Sequence, residues 1–217
     1  LSGLDYNNGV QAALHYIGTD GVRQDTAFRY IHPKIQSGQY PGLNILVDTQ
    51  VKRVVFQGNK ATGVEFKHKA QANSPYTTVR AKKMVIVSAG ALGTPLILER
   101  SGVGNPDLLK KLGIKVVSAL PSVGENYQDH HLITYPYYSS LNENETLDGL
   151  LSGRQNATEA IQKNASILGW NAQDVTGKLR PTDKEAAALG PAFQEIWNKE
   201  YKTNTNKPLL LTALVNA

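Results

Sequence analysis

The chain has 217 residues, 41% of them hydrophobic and 19% charged, and a formal net charge of +5. That composition suits a globular protein able to bury a core, and no apolar run reaches membrane-spanning length. The basic residues are scattered, as in Lys82-Lys83 and Lys110-Lys111, without the clustered face that nucleic acid requires. The lack of cysteine excludes disulfides, thiolate metal sites and a cysteine nucleophile.

From the N-terminus, Val10, Ala13, Leu14 and Ile17 recur at helical spacing before the breakers Gly18 and Gly21, which predicts a short helix. Asp25 is placed to cap a second helix with Ala27, Tyr30 and Ile31 on one face, ending ahead of Pro33. Strands follow at Ile45–Val47 and Val51–Phe56, then a Gln57-Gly58-Asn59-Lys60 turn and a strand at Ala61–Lys67. The polar loop His68–Pro75 leads to a strand at Thr77–Arg80.

Met84–Val87 is an apolar run long enough for a fully buried strand. Ser88–Gly93 then supplies a turn in which only Leu92 is large. Thr94 is read as the N-cap of the next helix, Pro95 as its first residue and Gly102 as its stop. A strand–turn–helix with so little side chain lets a flat group approach the backbone, and helix amides there can face an anion. Close packing alone would also demand small residues at this turn. Asn105-Pro106 start another helix, with Leu108, Leu109 and Leu112 apolar and Gly113 as its stop. Gly102-Val103-Gly104-Asn105-Pro106-Asp107 is no phosphate loop, because it lacks a third glycine and follows a helix.

Beyond Tyr135 the polar stretch Ser139–Glu145 is a candidate crossover between domains. Asn144-Glu145-Thr146, Asn156-Ala157-Thr158 and Asn164-Ala165-Ser166 fit the glycosylation pattern, which is common by chance. Pro181 and the capping box Thr182-x-x-Glu185 announce a helix, broken at Gly190-Pro191 and resumed through Phe193, Ile196 and Trp197. Leu209–Val215 reads as a strand entering a second sheet. His15, His32, His68 and His131 lack partners at metal-ligand spacing, so no metal site is expected.

Gly90-Ala91-x-x-Thr94-Pro95-x-Ile97-Leu98-x-x-Ser101-Gly102-Val103-Gly104 resembles the second signature of the glucose–methanol–choline (GMC) family of flavin oxidoreductases. Val123-Gly124-Glu125-Asn126-Tyr127-Gln128-Asp129-His130 resembles that family's V-G-x-N-x-Q-D-H loop. Arg23–Phe28 resembles the segment before the family's three-stranded meander. Tyr135–Ala217, through Lys178–Thr182 and Lys207-Pro208, most resembles the alcohol (methanol) oxidase branch of fungi and yeasts.

The resemblance implies an α/β fold with α+β elements. Residues 1–135 would be part of an FAD-binding domain with a β-meander, and residues 136–217 the start of a mixed-sheet substrate-binding domain. The family's dinucleotide glycine fingerprint and its catalytic His with a His or Asn partner are not found here. The chain therefore reads as an internal piece of a longer protein, and alone is expected neither to hold FAD tightly nor to turn over. Within it, the resemblance implies that the Val51 backbone meets adenine and that Ser88, Ala89 and Gly90 pass beside the dinucleotide. Asn126 and Gln128 would hold the second loop through backbone hydrogen bonds, and Asp129 would cap a turn. His130 matches a histidine lining the substrate side of the flavin, with a structural histidine as the alternative.

The leading function is FAD-dependent oxidation of a small primary alcohol to the aldehyde, with oxygen reduced to hydrogen peroxide. The alternatives are a dehydrogenase with another electron acceptor, a hydroxynitrile lyase, and a non-catalytic fragment. Methanol oxidase relatives imply a homo-oligomer in the peroxisome. Neither nucleic acid nor a membrane is an expected partner.

Overall fold

The computed structural model describes residues 7–69 and 75–216. It opens with strand β1 (Gly9–Ala12), a π-helical turn (Ala27–Ile31) running into helix α1 (His32–Gln36), then β2 (Thr49–Gln57), β3 (Lys60–His68) and β4 (Thr77–Arg80). Next come α2 (Gly90–Arg100), β5 (Val103–Gly104), α3 (Pro106–Lys111) and β6 (Ser118–Ala119). The last third holds α4 (Asp148–Leu151), α5 (Ala157–Gln162), β7 (Gln173–Leu179), α6 (Asp183–Ala188), α7 (Pro191–Ile196), a π-helical turn (Trp197–Tyr201) and β8 (Leu210–Val215).

The chain divides into two compact units, one of Pro41–Tyr135 and one that joins the residues up to Tyr40 to those from Pro136 onward. The N-terminal stretch joins the second of these through β1, which pairs with β7 far along the chain, Gly9 opposite Lys178 and Ala12 opposite Val175.

In the unit Pro41–Tyr135, β2, β3 and β4 form an antiparallel meander in that order. Its register sets Val51 opposite Phe66 and Val54 opposite Val64, and Gly58 turns the hairpin with φ +56°. β4 lies so close to β3 that a Cβ on Gly63 would stand 2.4 Å from the Val79 carbonyl oxygen. The helix α2 packs on β2, and β5 and β6 form a short parallel pair beside it. Among the described residues, Val54, Val103 and Leu109 are the buried apolar side chains of this unit. Asn105 caps α3 as expected, its side-chain oxygen accepting the Asp107 N–H at 3.0 Å.

The other unit carries an antiparallel sheet in the order β1-β7-β8. The Thr182–Glu185 capping box is formed in full: the Thr182 hydroxyl accepts the Glu185 N–H, and the Glu185 carboxylate accepts the Thr182 N–H at 2.8 Å. Trp197 is fully buried; its indole N–H donates to Asp183 at 2.7 Å, and its ring stacks between Phe193 and Tyr201. Arg180 lies over that ring at 4.5 Å and donates to the carbonyls of Lys207 and Tyr201.

Four local expectations are corrected. The helix read into Val10–Ile17 is strand β1 followed by irregular chain, because pairing with β7 outweighs the local periodicity. Asp25 does cap the next helical segment, accepting the Phe28 N–H at 2.7 Å, but the helix continues past Pro33, which sits in the first turn of α1 where its missing N–H is tolerated. Ile45–Val47 and Met84–Val87 are not strands. Met84 and Ile86 are 60% and 77% exposed, and no strand among the described residues pairs with them. Of the His68–Pro75 loop, residues 70–74 lie outside the described residues.

Candidate functional site

The predicted site residues fall in the unit Pro41–Tyr135, on β2, at the start of α2 and in the loop after β6. Helix α2 begins at Gly90, earlier than the Thr94-Pro95 reading. Thr94 still serves the helix start from within: its hydroxyl accepts the Ala89 N–H at 3.0 Å. Pro95 lies inside the helix and leaves the Ala91 carbonyl without an intrahelical donor.

Gly90 is the sharpest feature of this turn. Its φ is +81°, a conformation that L side chains rarely adopt, and a Cβ built there would meet nothing within 4 Å. Packing therefore does not explain the glycine; backbone shape and open space do. The first amides of α2 have no intrahelical acceptors, and Ser88, Ala89 and Gly90 are all exposed. This arrangement fits the passage of a dinucleotide beside the helix start. Val51 is half-buried on β2, at the edge of the meander.

The second motif is tied to the first by Gly124. Its Cβ position, at φ +82°, faces Pro95 Cβ at 3.6 Å and the Glu99 carboxylate at 3.8 Å, so this loop runs directly over α2. Asn126 takes up the left-handed region at φ +55°, and the Asp129 carboxylate accepts the His130 N–H at 2.7 Å. Both are turn-forming roles of Asn and Asp. Asn126, Gln128, Asp129 and His130 are all exposed. Among the described residues no three His, Asp or Glu side chains gather as metal ligands.

One residue with a defined task was not singled out by sequence reasoning. Ser101, 7% exposed, accepts the Val54 N–H at 2.8 Å and donates to the Ile97 carbonyl at 2.5 Å. Its place in the first motif was the available signal.

A family model for GMC oxidoreductase matches residues 5–132, more than half of the chain. The chain belongs to the GMC oxidoreductase family. It is 30% identical to an alcohol oxidase of Candida boidinii over 224 residues, covering 100% of this chain and 33% of that enzyme. The human mitochondrial choline dehydrogenase is 44% identical over 111 residues, 51% of this chain and 18% of that enzyme. Among solved structures, an FAD-dependent oxidoreductase from Chaetomium thermophilum superposes with a TM-score of 0.73 at 26% identity, over 96% of this chain and 41% of that one. The GMC chain thus spans about a third of the length of the alcohol oxidases it matches. The α/β fold is that of the family, and family and neighbour together support FAD as the cofactor.

Proposed function

We propose that this GMC chain is part of an enzyme that oxidises a small primary alcohol to the aldehyde, with oxygen as electron acceptor and hydrogen peroxide as product. The observation that carries this reading is the extent of the alcohol oxidase match. It runs through the whole chain, including the residues past Leu132, where the family model ends, whereas the choline dehydrogenase match covers only half of the chain.

In this reading FAD, when bound, supplies the acceptor for the hydride that leaves the alcohol carbon. This chain's own residues shape its cradle. The Val51 backbone faces adenine from the meander edge. Ser88, Ala89 and Gly90 let the dinucleotide approach the start of α2, where unpaired amides and the positive end of the helix favour its negative charge. Asn126, Gln128 and Asp129 hold the second loop in its turn over α2, and His130 lines the substrate side. The unit Pro41–Tyr135 serves the cofactor, and the residues from Pro136 onward open the substrate-binding part. A homo-oligomer in the peroxisome belongs to the same reading.

The test is anaerobic addition of a short primary alcohol to the intact protein, followed by admission of air. Bleaching of the flavin spectrum by alcohol and its return with air, with peroxide formed, is the expected result. The 44% identity to choline dehydrogenase favours a second reading, in which the reduced flavin persists in air and is reoxidised by a quinone. No bleaching by any alcohol would overturn both and leave a lyase or a non-catalytic role.

A further inference from the structure

A cleft of about 350 Å3 runs along the free edge of β2, between Arg53–Phe56 on one side and Arg100, Ser101 and Ile114–Val117 on the other. A neighbouring hollow of about 360 Å3 shares Arg53, Arg100 and Lys115 with it and reaches Lys52. Both walls carry Arg53, Arg100 and Lys115, the second adds Lys52, and among the described residues neither carries a carboxylate.

Glu65 stands behind this group and holds Arg53 Nε at 2.5 Å and Lys52 Nζ at 3.2 Å, offsetting one of the positive charges. Arg100 and Lys115 form no ion pair among the described residues. The carboxyl end of α2 is a negative pole at this place, and Arg100, in the last turn, offsets it. The cleft is thus left with an excess of cationic groups. Arg53 is held through Nε alone and keeps its terminal N–H groups to donate.

The occupant must be compact. An extended peptide would use the free edge of β2, but the Ser101 hydroxyl already takes the Val54 N–H at 2.8 Å and seals the ladder there. Guanidinium and ammonium groups lining one small hollow suit the oxygens of a phosphate group, which is doubly charged and accepts forked arginine bonds. We propose that this cleft binds a small phosphate monoester, gripped by Arg100 and Lys115 with Arg53 beside them. The proposal does not depend on the flavin reading.

Isothermal titration of the intact protein at low salt tests it, with inorganic phosphate, glycerol phosphate and an oligoglutamate peptide as probes. Saturable binding of glycerol phosphate, at least as tight as inorganic phosphate, is expected. Arg100→Gln and Lys115→Gln should each weaken it about tenfold, while Lys82→Gln, outside the cleft, leaves it unchanged. Should Arg100→Gln not fold, Lys115→Gln alone decides. The proposal is overturned by the absence of saturable binding, by equal affinity in the cleft variants, by binding of inorganic phosphate without the monoester, or by tighter binding of the acidic peptide.

Discussion

The Ser101 hydroxyl ties the end of helix α2 to the edge of the meander, accepting the Val54 N–H at 2.8 Å while donating to the Ile97 carbonyl. A small hydroxyl is the side chain that can do both at a site 7% exposed. The bond joins two parts of the proposed cofactor cradle. Val51 lies on the same strand as Val54, and Gly90 opens the helix that Ser101 closes.

Ser101→Ala should therefore destabilise the protein by ~1–3 kcal/mol, the cost of leaving the buried Val54 N–H unpaired. Thermal unfolding measures it. A change indistinguishable from that of an exposed serine, such as Ser140→Ala, would show that the bond contributes nothing.

Gly102 and Gly113 separate backbone conformation from close approach. Both have positive φ, +87° and +68°, but a Cβ on Gly102 would sit 2.3 Å from the Lys115 carbonyl oxygen, whereas Gly113 faces open space. Gly113→Ala should cost about 1 kcal/mol for the left-handed backbone alone. Gly102→Ala should add a further ~1–3 kcal/mol, because the Lys115–Val117 segment must move away. Equal losses in chemical unfolding would contradict this packing.

Gly90→Ala extends the comparison to the proposed cofactor site. At φ +81° with nothing within 4 Å, its stability cost should match that of Gly113→Ala. Its flavin content should nevertheless fall, since the added methyl would stand in the proposed path of the dinucleotide. Flavin released on denaturation, measured per protein, reads the effect directly, and full retention would remove Gly90 from the cradle.

Local chemistry was legible in the sequence and long-range pairing was not. Asn105, the Thr182–Glu185 box and the Gly102 stop were readable because a cap is decided within one helical turn. The hairpin at Gly58-Asn59 was readable for the same reason. Val10–Ala12 misled because its partner lies at Val175–Gly177, and pairing over that distance leaves no mark on the local period. Met84–Val87 misled differently: an apolar run states a need for burial without supplying the neighbours that meet it. At the candidate site, the motif spacing marked the residues for which a cofactor role is proposed. The order in which α2 begins, at Gly90 and not Thr94, depended on a left-handed glycine that no spacing rule reveals.

Arg180 is the centre of the other unit's polar core, stacked on Trp197 and bonded to the carbonyls of Tyr201 and Lys207 at 2.5 and 2.7 Å. Lysine has neither the planar face nor the forked donors. Arg180→Lys should cost ~2 kcal/mol in thermal unfolding and raise acrylamide quenching of the buried Trp197. Trp170, 42% exposed, is quenched in both proteins and sets the baseline. Unchanged quenching would mean that Trp197 is covered without help from Arg180.

Glu65 gives the fold an acid-sensitive contact. The Arg53 hydrogen bond, helped by Lys52, holds its carboxyl below the ordinary glutamate value of 4.5 against the opposing effect of burial. A carboxyl lowered by folding stabilises fully at pH above that ordinary value. The contribution fades as pH falls below it and is gone once pH has passed through the lowered folded-state value. Glu65→Gln removes this dependence. The stability difference between the native protein and the variant should be constant near neutrality and shrink steadily below pH 4.5. Urea unfolding across that range makes the comparison. Parallel profiles for the two proteins would show that the ion pair leaves no trace in the folding equilibrium.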